Sequence, residues 1–247
     1  MKLKSNNFVI IVPFRNVEIY IEKCVESIIT QQYENFEVYF LDDNSTDNTV
    51  SLIHEFEHPK INIITNHTRL GPTGNIFNAL NTIDIADDDI VVWVDGDDSL
   101  FGEYALQMLN YHYNDDILLT YGQYIDSFGN VGFCSNYSIK EFENVRLADW
   151  KASHLKTFKM KLFRMLIQLD PVGQSFKNDE NVFFDATSDM AFMIPLMELA
   201  TYDQVRFISN IIYCYRISGH NDHSTTSGRA KQIEIETIIR GRRKITS

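Results

Sequence analysis

Two acidic clusters stand out among the residues able to do chemistry. One is Asp42-Asp43 in "FEVYFLDDNSTDNT"; the other is Asp95, Asp97 and Asp98 in "VVWVDGDDSL", three carboxylates behind an apolar run. Carboxylates packed so closely repel one another, and in a low-dielectric cleft the repulsion is costly unless a cation is present. An all-oxygen donor set selects Mg²⁺, Mn²⁺ or Ca²⁺ over zinc, and such an ion completes its shell with water and substrate phosphates. The second cluster therefore points to a diphosphate-bearing substrate. Gly96 permits a sharp turn, so that Asp95 and Asp97 can converge on one spot. Taken alone the spacing fits equally an acidic turn exposed to water. The run Asp87 to Asp89 in "IADDDI" is read in that plainer way, as the solvated start of a strand.

The elements that must hold these groups are legible from periodicity. "FVIIVPFRN" is a buried strand stopped by Pro13, and "VEIYIEKCVESIITQQ" repeats apolar positions at helical spacing. "FEVYFLDD" is a second strand, closed by the turn and cap residues "NSTDNT". "TVSLIHEFE", "INIITN", "GNIFNALNTI" and "DIVVWVDGDD" extend the alternation, which implies parallel pairing with right-handed crossovers. Ligands of such sheets bind outside the carboxyl ends of the strands. Arg15, Asp42, Asp43, Asp95, Asp97 and Asp98 fall there. The second half is less regular. "DDILLTYGQYID" predicts a strand with "GNVGF" as a hairpin partner, "DWKASHLKTFKMKLFRMLI" a helix with a basic face, "SDMAFMIPLMELA" a helix capped by Thr187 or Ser188, and "RFISNIIYCYRI" a late strand pair.

Composition bounds the function. With 247 residues, 44% of them hydrophobic, the chain can bury a core and reads as one α/β domain: a mainly parallel sheet flanked by helices, with a smaller mixed or antiparallel part. Within it, about 1–100 is expected to form the first half, about 101–225 the second, and about 226–247 a C-terminal helix or tail. No run approaches the roughly 18 apolar residues of a spanning helix, and the one after "MKLKSNN" is too short for a signal-peptide core, so a cytoplasmic location is expected, peripheral to a membrane at most. The net charge of -12 makes nucleic acid or anionic lipid an unfavourable partner and leaves a metal ion a favourable one. Cys24, Cys134 and Cys214 are too few and too unevenly spaced for a disulfide framework or thiolate metal site. "RGRRK", Arg240 to Lys244, is a solvated helix end or a weak surface contact.

The combination of motifs resembles family 2 glycosyltransferases. The matching features are Pro13 and Asn16 after the first strand, Ser27 and Gln31 in the first helix, Asp42 to Thr49 as the hDDxSxDxT segment, and "VDGDD" as the D-x-D signature. The resemblance implies a GT-A, Rossmann-like fold, with about 1–100 as the nucleotide-binding half and about 101–225 as the acceptor-side half, and a nucleotide-sugar donor, most often a UDP-sugar, with an acceptor hydroxyl on a glycan or glycoconjugate. It implies base recognition by Asp43, ribose contact by Asp95, and a Mn²⁺ or Mg²⁺ ion held by Asp97 or Asp98. Pro13 and Asn75 fall in the donor-binding part. Gly74-Asn75 replaces the family's Arg-Asn pair, so Arg15 or Arg69 is expected to make the missing contact. Asp189, at a helix start, matches the general base that deprotonates the acceptor, with Asp185 in reserve and simple capping as the alternative. The late loop "YRISGHNDHSTTSG" offers Arg216, His220, His223 and Ser224; the resemblance implies that a His there, His223 as a metal ligand, reaches the metal or phosphates, with an ordinary polar surface loop as the alternative. His154 either lines the acceptor site or ends a helix. A nucleotidyltransferase is the enzymatic rival, although "PFRNVEIY" is no Gly-rich phosphate loop; a non-catalytic nucleotide-sugar-binding protein is the other alternative.

Overall fold

The computed structural model describes residues 4–217 and 225–246. Its first half runs β1 (Phe8–Phe14), α1 (Ile21–Ile29), β2 (Phe36–Asp42), α2 (Thr49–His54), β3 (Ile61–Thr65), α3 (Gly71–Thr82) and β4 (Ile90–Trp93). The second runs β5 (Ser99–Leu100), α4 (Ala105–His112), β6 (Leu119–Asp126), α5 (Ile139–Glu143), β7 (Ser153–Lys159), α6 (Met160–Leu169), α7 (Ser188–Leu199), β8 (Val205–Tyr215) and α8 (Thr226–Gly241). All eight strands form one curled sheet in the order β3-β2-β1-β4-β7-β6-β8-β5.

The β-branched run of β1 is apolar throughout because both faces of the strand are covered. Val9 and Ile11 point into one core, built with α3, α6 and α7; Phe8, Ile10 and Val12 point into the other, built with α1 and α4. β1 pairs in parallel with β2 and with β4, Phe8 lying opposite both Phe36 and Ile90. That register brings Phe14, Asp42 and the end of β4 to the same rim of the sheet. The antiparallel part begins at β7, which pairs with β4 on one side and β6 on the other. β8 runs parallel to β6, and β5 pairs antiparallel with β8 at the far edge. Since β5 follows β4 closely in sequence, this pairing curls the sheet until Tyr213 of β8 reaches the backbone N–H of Asp95 at 3.1 Å. No helix among the described residues is long and apolar enough to cross a membrane.

The second half departs from its sequence reading in four places. Residues 153–169 form a strand and then a helix, β7 and α6, because β7 has ladder partners on both sides. Its basic residues were read as one helical face, but they separate. Lys156 is buried, whereas Lys161 and Arg164 in α6 pair with Asp88 and Asp87. The late strand pair is the single strand β8: Ser209 and Asn210 bulge into solvent where its pairing with β6 passes from Ile208 opposite Gly122 to Ile211 opposite Gln123. "GNVGF" contributes only one isolated bridge, Ile125 to Val131, in place of a hairpin strand. Finally, α7 begins after Thr187 in the left-handed conformation, and no side chain caps it. This helix is apolar all round, with Met190 to Met197 buried, and it is held by tertiary packing. The basic C-terminal segment is likewise occupied structurally: Arg240 binds Glu236 and the carbonyls of Arg146 and Ala148, and Arg242 binds those of Gln174 and Lys177.

Candidate active site at the carboxyl ends of the strands

Three strand ends build the rim of the cleft. β1 delivers Pro13, Phe14 and Arg15, β2 delivers Asp42 and Asp43, and β4 runs into Asp95-Gly96-Asp97-Asp98. This last turn is pinned by the Gly96 N–H donating to the Pro13 carbonyl at 3.1 Å and the Asp98 N–H donating to that of Asp95 at 2.9 Å. A β-carbon on Gly96 would stand 2.5 Å from the Phe14 Cβ, so only glycine lets the acidic turn lie this close to β1.

The members of the two acidic clusters have distinct surroundings. Asp42 accepts the Ser45 N–H at 2.8 Å and closes its own turn. Asp43, buried beside it, accepts the N–H groups of Leu70 and Gly71 at 2.7 and 2.9 Å, where α3 begins, with Arg69 Nε 3.9 Å away. Asp95 accepts the Trp93 indole N–H at 2.7 Å, and its other oxygen lies 3.7 Å from His154 Nδ1 and 3.9 Å from Lys156 Nζ. Asp97 pairs with Arg216 at 2.7 Å, and that guanidinium stacks on the Tyr20 ring at 3.4 Å. Asp98 is only 4% exposed, with one oxygen accepting the Arg216 N–H and the other the Tyr213 hydroxyl, both at 2.7 Å.

Pro13, Arg15, Asp43, Arg69, Asn75, Asp95 and Asp97, all anticipated from sequence, line one cavity of about 410 Å³. Asp98 does not; with Asp97, Tyr20 and Arg216 it lines a separate pocket of about 100 Å³. A second cavity of about 690 Å³ shares Trp93, Asp95, Thr187 and Ser188 with the first and continues past Asp189, His154, Lys156 and Trp150 toward α8. Asp189 sits in the first turn of α7, half-buried. Burial raises its pKa above the usual carboxylate value, and Asp95 adds to the rise, while Lys156, the Met190 N–H and Trp150 oppose it. Asp185, the reserve base, is exposed and paired with Lys231 instead.

The site is short of positive charge. Burial pushes Asp98 well up, with Asp97 and Asp95 adding to it; burial and Asp95 raise Asp97 against the pull of Arg216; burial and the same three carboxylates raise the Cys24 thiol. Such a donor set fits a divalent cation. One oxygen each of Asp95 and Asp98 and a ring nitrogen of His154 lie within 4.8 Å of one another, a grouping compatible with metal binding. His154 is a strand residue here, stacked on Tyr213 with centroids 4.6 Å apart, and burial and Lys156 hold its pKa well below the ordinary value, so it is neutral. His220, His223 and Ser224 lie outside the described residues. The sequence did not single out Lys156, Trp150 or Tyr213: two were read as part of a helix and the third as a core strand position.

A model of glycosyl transferase family 2 matches residues 9–168. The chain belongs to that family. Among curated relatives, glycosyltransferase GlyG of Streptococcus pneumoniae is 26% identical over 225 residues, which cover 84% of this chain and 69% of GlyG. Of two other curated relatives the chain spans 31% and 46%. The fold is that of GT-A glycosyltransferases. Staphylococcus aureus TarS residues 1–349, solved with UDP, superposes with a TM-score of 0.64 at 17% identity, covering 94% of this chain and 69% of that one. The Pyrobaculum calidifontis mannosyltransferase PcManGT, solved with GDP-Man and Mn²⁺, superposes at 0.61 and 19% identity, covering 97% and 66%.

Proposed function

We propose that this domain is a metal-dependent, inverting glycosyltransferase that moves a sugar from a nucleotide sugar, first of all a UDP-sugar, to a hydroxyl of a glycan or glycoconjugate. One observation carries the reading: two cavities meet at Asp95, the smaller lined by the nucleotide-side residues and the larger by Asp189. A nucleoside diphosphate in the smaller cavity would present its sugar at the junction, and an acceptor in the larger would approach from the opposite side.

In this reading Asp43 accepts the imide N–H of the base through Oδ2, which has a second lone pair beyond the one used by Gly71, whereas Oδ1 already accepts from Leu70 and Asn66. Asp95 receives the ribose hydroxyls, and Arg15 and Arg69 face the nucleotide. Asp97, which opens into the smaller cavity, would hold a Mn²⁺ or Mg²⁺ ion. When bound, the ion supplies Lewis-acid neutralisation of the charge on the departing diphosphate. Asp98 is assigned to the support of the turn, because both its oxygens are engaged. A place for the ion at His154 is disfavoured by the Lys156 ammonium, 3.2 Å from its Nδ1. Asp189 takes the proton from the acceptor hydroxyl as that oxygen bonds to the anomeric carbon and the diphosphate leaves. One displacement inverts the centre. The UDP and GDP-Man complexes of the structural relatives support a nucleoside diphosphate donor.

The test is nucleotide release from a panel of UDP-, GDP- and dTDP-sugars, each with Mn²⁺ and with EDTA. Metal-dependent release or binding with one of them is expected. If every donor is inert and unbound in both conditions, the transferase reading is wrong.

A further inference from the structure

Two donors in the wall of the larger cavity have little to bind within the protein. Lys156 is 2% exposed on the central strand β7, and its ammonium has one described hydrogen bond, to His154 Nδ1 at 3.2 Å. It also meets the Asp95 carboxylate at 3.9 Å, beyond hydrogen-bond reach, and the face of Trp93 at 4.4 Å, and its charge acts on the Asp189 carboxylate without a hydrogen bond to it among the described contacts. An ammonium has three N–H groups, so its hydrogen-bonding capacity is far from filled. Nearby, the indole N–H of Trp150 is buried and makes no hydrogen bond of good geometry, although it is turned toward the Asp189 carboxylate, whose pKa it lowers. Buried donors in this state are costly unless a ligand completes them. Both residues line the larger cavity.

Their position says which part of a ligand they meet. Lys156 touches Trp93 and Asp95, two of the residues common to both cavities, so it stands where a nucleotide sugar passes from one into the other. The far end of the larger cavity, between the 130–133 loop and α8, is left for the acceptor. Oxygen-rich and uncharged at its ring, a hexopyranosyl group supplies the acceptors these donors lack, while the Asp95 carboxylate can accept from its hydroxyls.

We propose that Lys156 and Trp150 form the subsite that reads the ring hydroxyls of the transferred sugar, and so decide which nucleotide sugar is used. The inference rests on the donor reading above and deepens it. A lysine at this place binds through a charge-assisted hydrogen bond, worth roughly a factor of ten or more in affinity.

The experiment is calorimetric titration of wild type, Lys156→Met and Trp150→Phe with UDP and GDP, then with UDP-glucose, UDP-galactose, UDP-N-acetylglucosamine and GDP-mannose. Both variants are expected to keep the wild-type affinity for the free nucleotide within about twofold. Lys156→Met is expected to lose about tenfold or more for the preferred nucleotide sugar and to bind the panel with flattened preference. Trp150→Phe should show the same pattern in smaller degree, and it carries the test if the lysine variant does not fold. Equal losses for nucleotide and nucleotide sugar, or no loss for either, overturn the assignment. Wild type that binds the free nucleotide but gains nothing from any sugar also overturns it while leaving the nucleotide site standing. Wild type that binds no nucleotide at all removes the donor reading itself.

Discussion

The Tyr213 hydroxyl donates to Asp98 at 2.7 Å and accepts the N–H of Asp95 at 3.1 Å, so one side chain from β8 holds both ends of the acidic turn. This is how a strand remote in sequence fixes the shape of the cleft. Tyr213→Phe leaves a buried carboxylate and a backbone N–H each short of a partner. We expect a loss of about 1–3 kcal/mol in urea-induced unfolding. A midpoint unchanged from wild type would show that water or Arg216 replaces the hydroxyl without loss.

The two adjacent carboxylates are predicted to separate by experiment. Asp97 is half-buried, and its bond to Arg216 is a partly exposed ion pair, worth at most about 1 kcal/mol after solvent screening. Asp97→Ala should therefore fold with nearly wild-type stability and lose the response of nucleotide release to Mn²⁺ or Mg²⁺, with a fall in rate on the order of a hundredfold. Wild type treated with EDTA should match it. Metal-stimulated release that persists in the variant would move the ion away from Asp97.

How far this cleft could be read from sequence varies along the chain for a physical reason. In residues 8–93 the strands β1 to β4 pair in parallel with one another, so local periodicity and global fold largely agree, and Asp43, Asp95 and Asp97 fall where the strand ends put them. From residue 119 onward the partners are distant. "SHLKTFK" is a strand because β4 and β6 flank it, and Lys156 is buried beside the Asp95 carboxylate and the Trp93 ring, both supplied by β4 and the turn that follows it. No helical or strand period in the segment carries that information. Asp189 was picked out by its match to a helix-start pattern, and it lies in the wall of the larger cavity although the expected cap is absent, whereas Trp150 had no local signal at all. Within the late loop, Arg216 proved to be a partner of Asp97, whereas His220 and His223 are outside the described residues.

Gly96 is predicted to be irreplaceable even by alanine. The added methyl would meet the Phe14 Cβ at 2.5 Å, and neither side can yield easily, because Phe14 is fixed in β1 and the turn is pinned to Pro13. Overpacking of this kind costs about 1–3 kcal/mol, and relief would rotate Asp95 and Asp97 away from the cavity. Thermal melts of Gly96→Ala should show the loss of stability, and UDP titration should show weaker nucleotide binding. Wild-type behaviour in both would mean that β1 and the turn move apart freely.

Asp189 gives the pH dependence its direction. A general base acts when ionised, and burial, with Asp95 adding to it, places this carboxyl's pKa above the usual carboxylate value. The rate of transfer should therefore fall as pH is lowered, with an acid limb centred above the ~3.9 of an ordinary aspartate. The same rise has a consequence for stability. A carboxyl whose pKa is higher folded than unfolded binds its proton more tightly when folded, so ionisation at neutral pH costs stability that protonation restores. Asp189→Asn should lower transfer by a factor of about 10² to 10⁴, leave nucleotide-sugar binding intact, and melt at or above the wild-type temperature. That combination distinguishes a base from a structural residue, whose loss would lower the melting temperature and the binding together. Retained transfer in the variant, or an acid limb unmoved from that of an exposed aspartate, would take the proton-abstracting role away from Asp189.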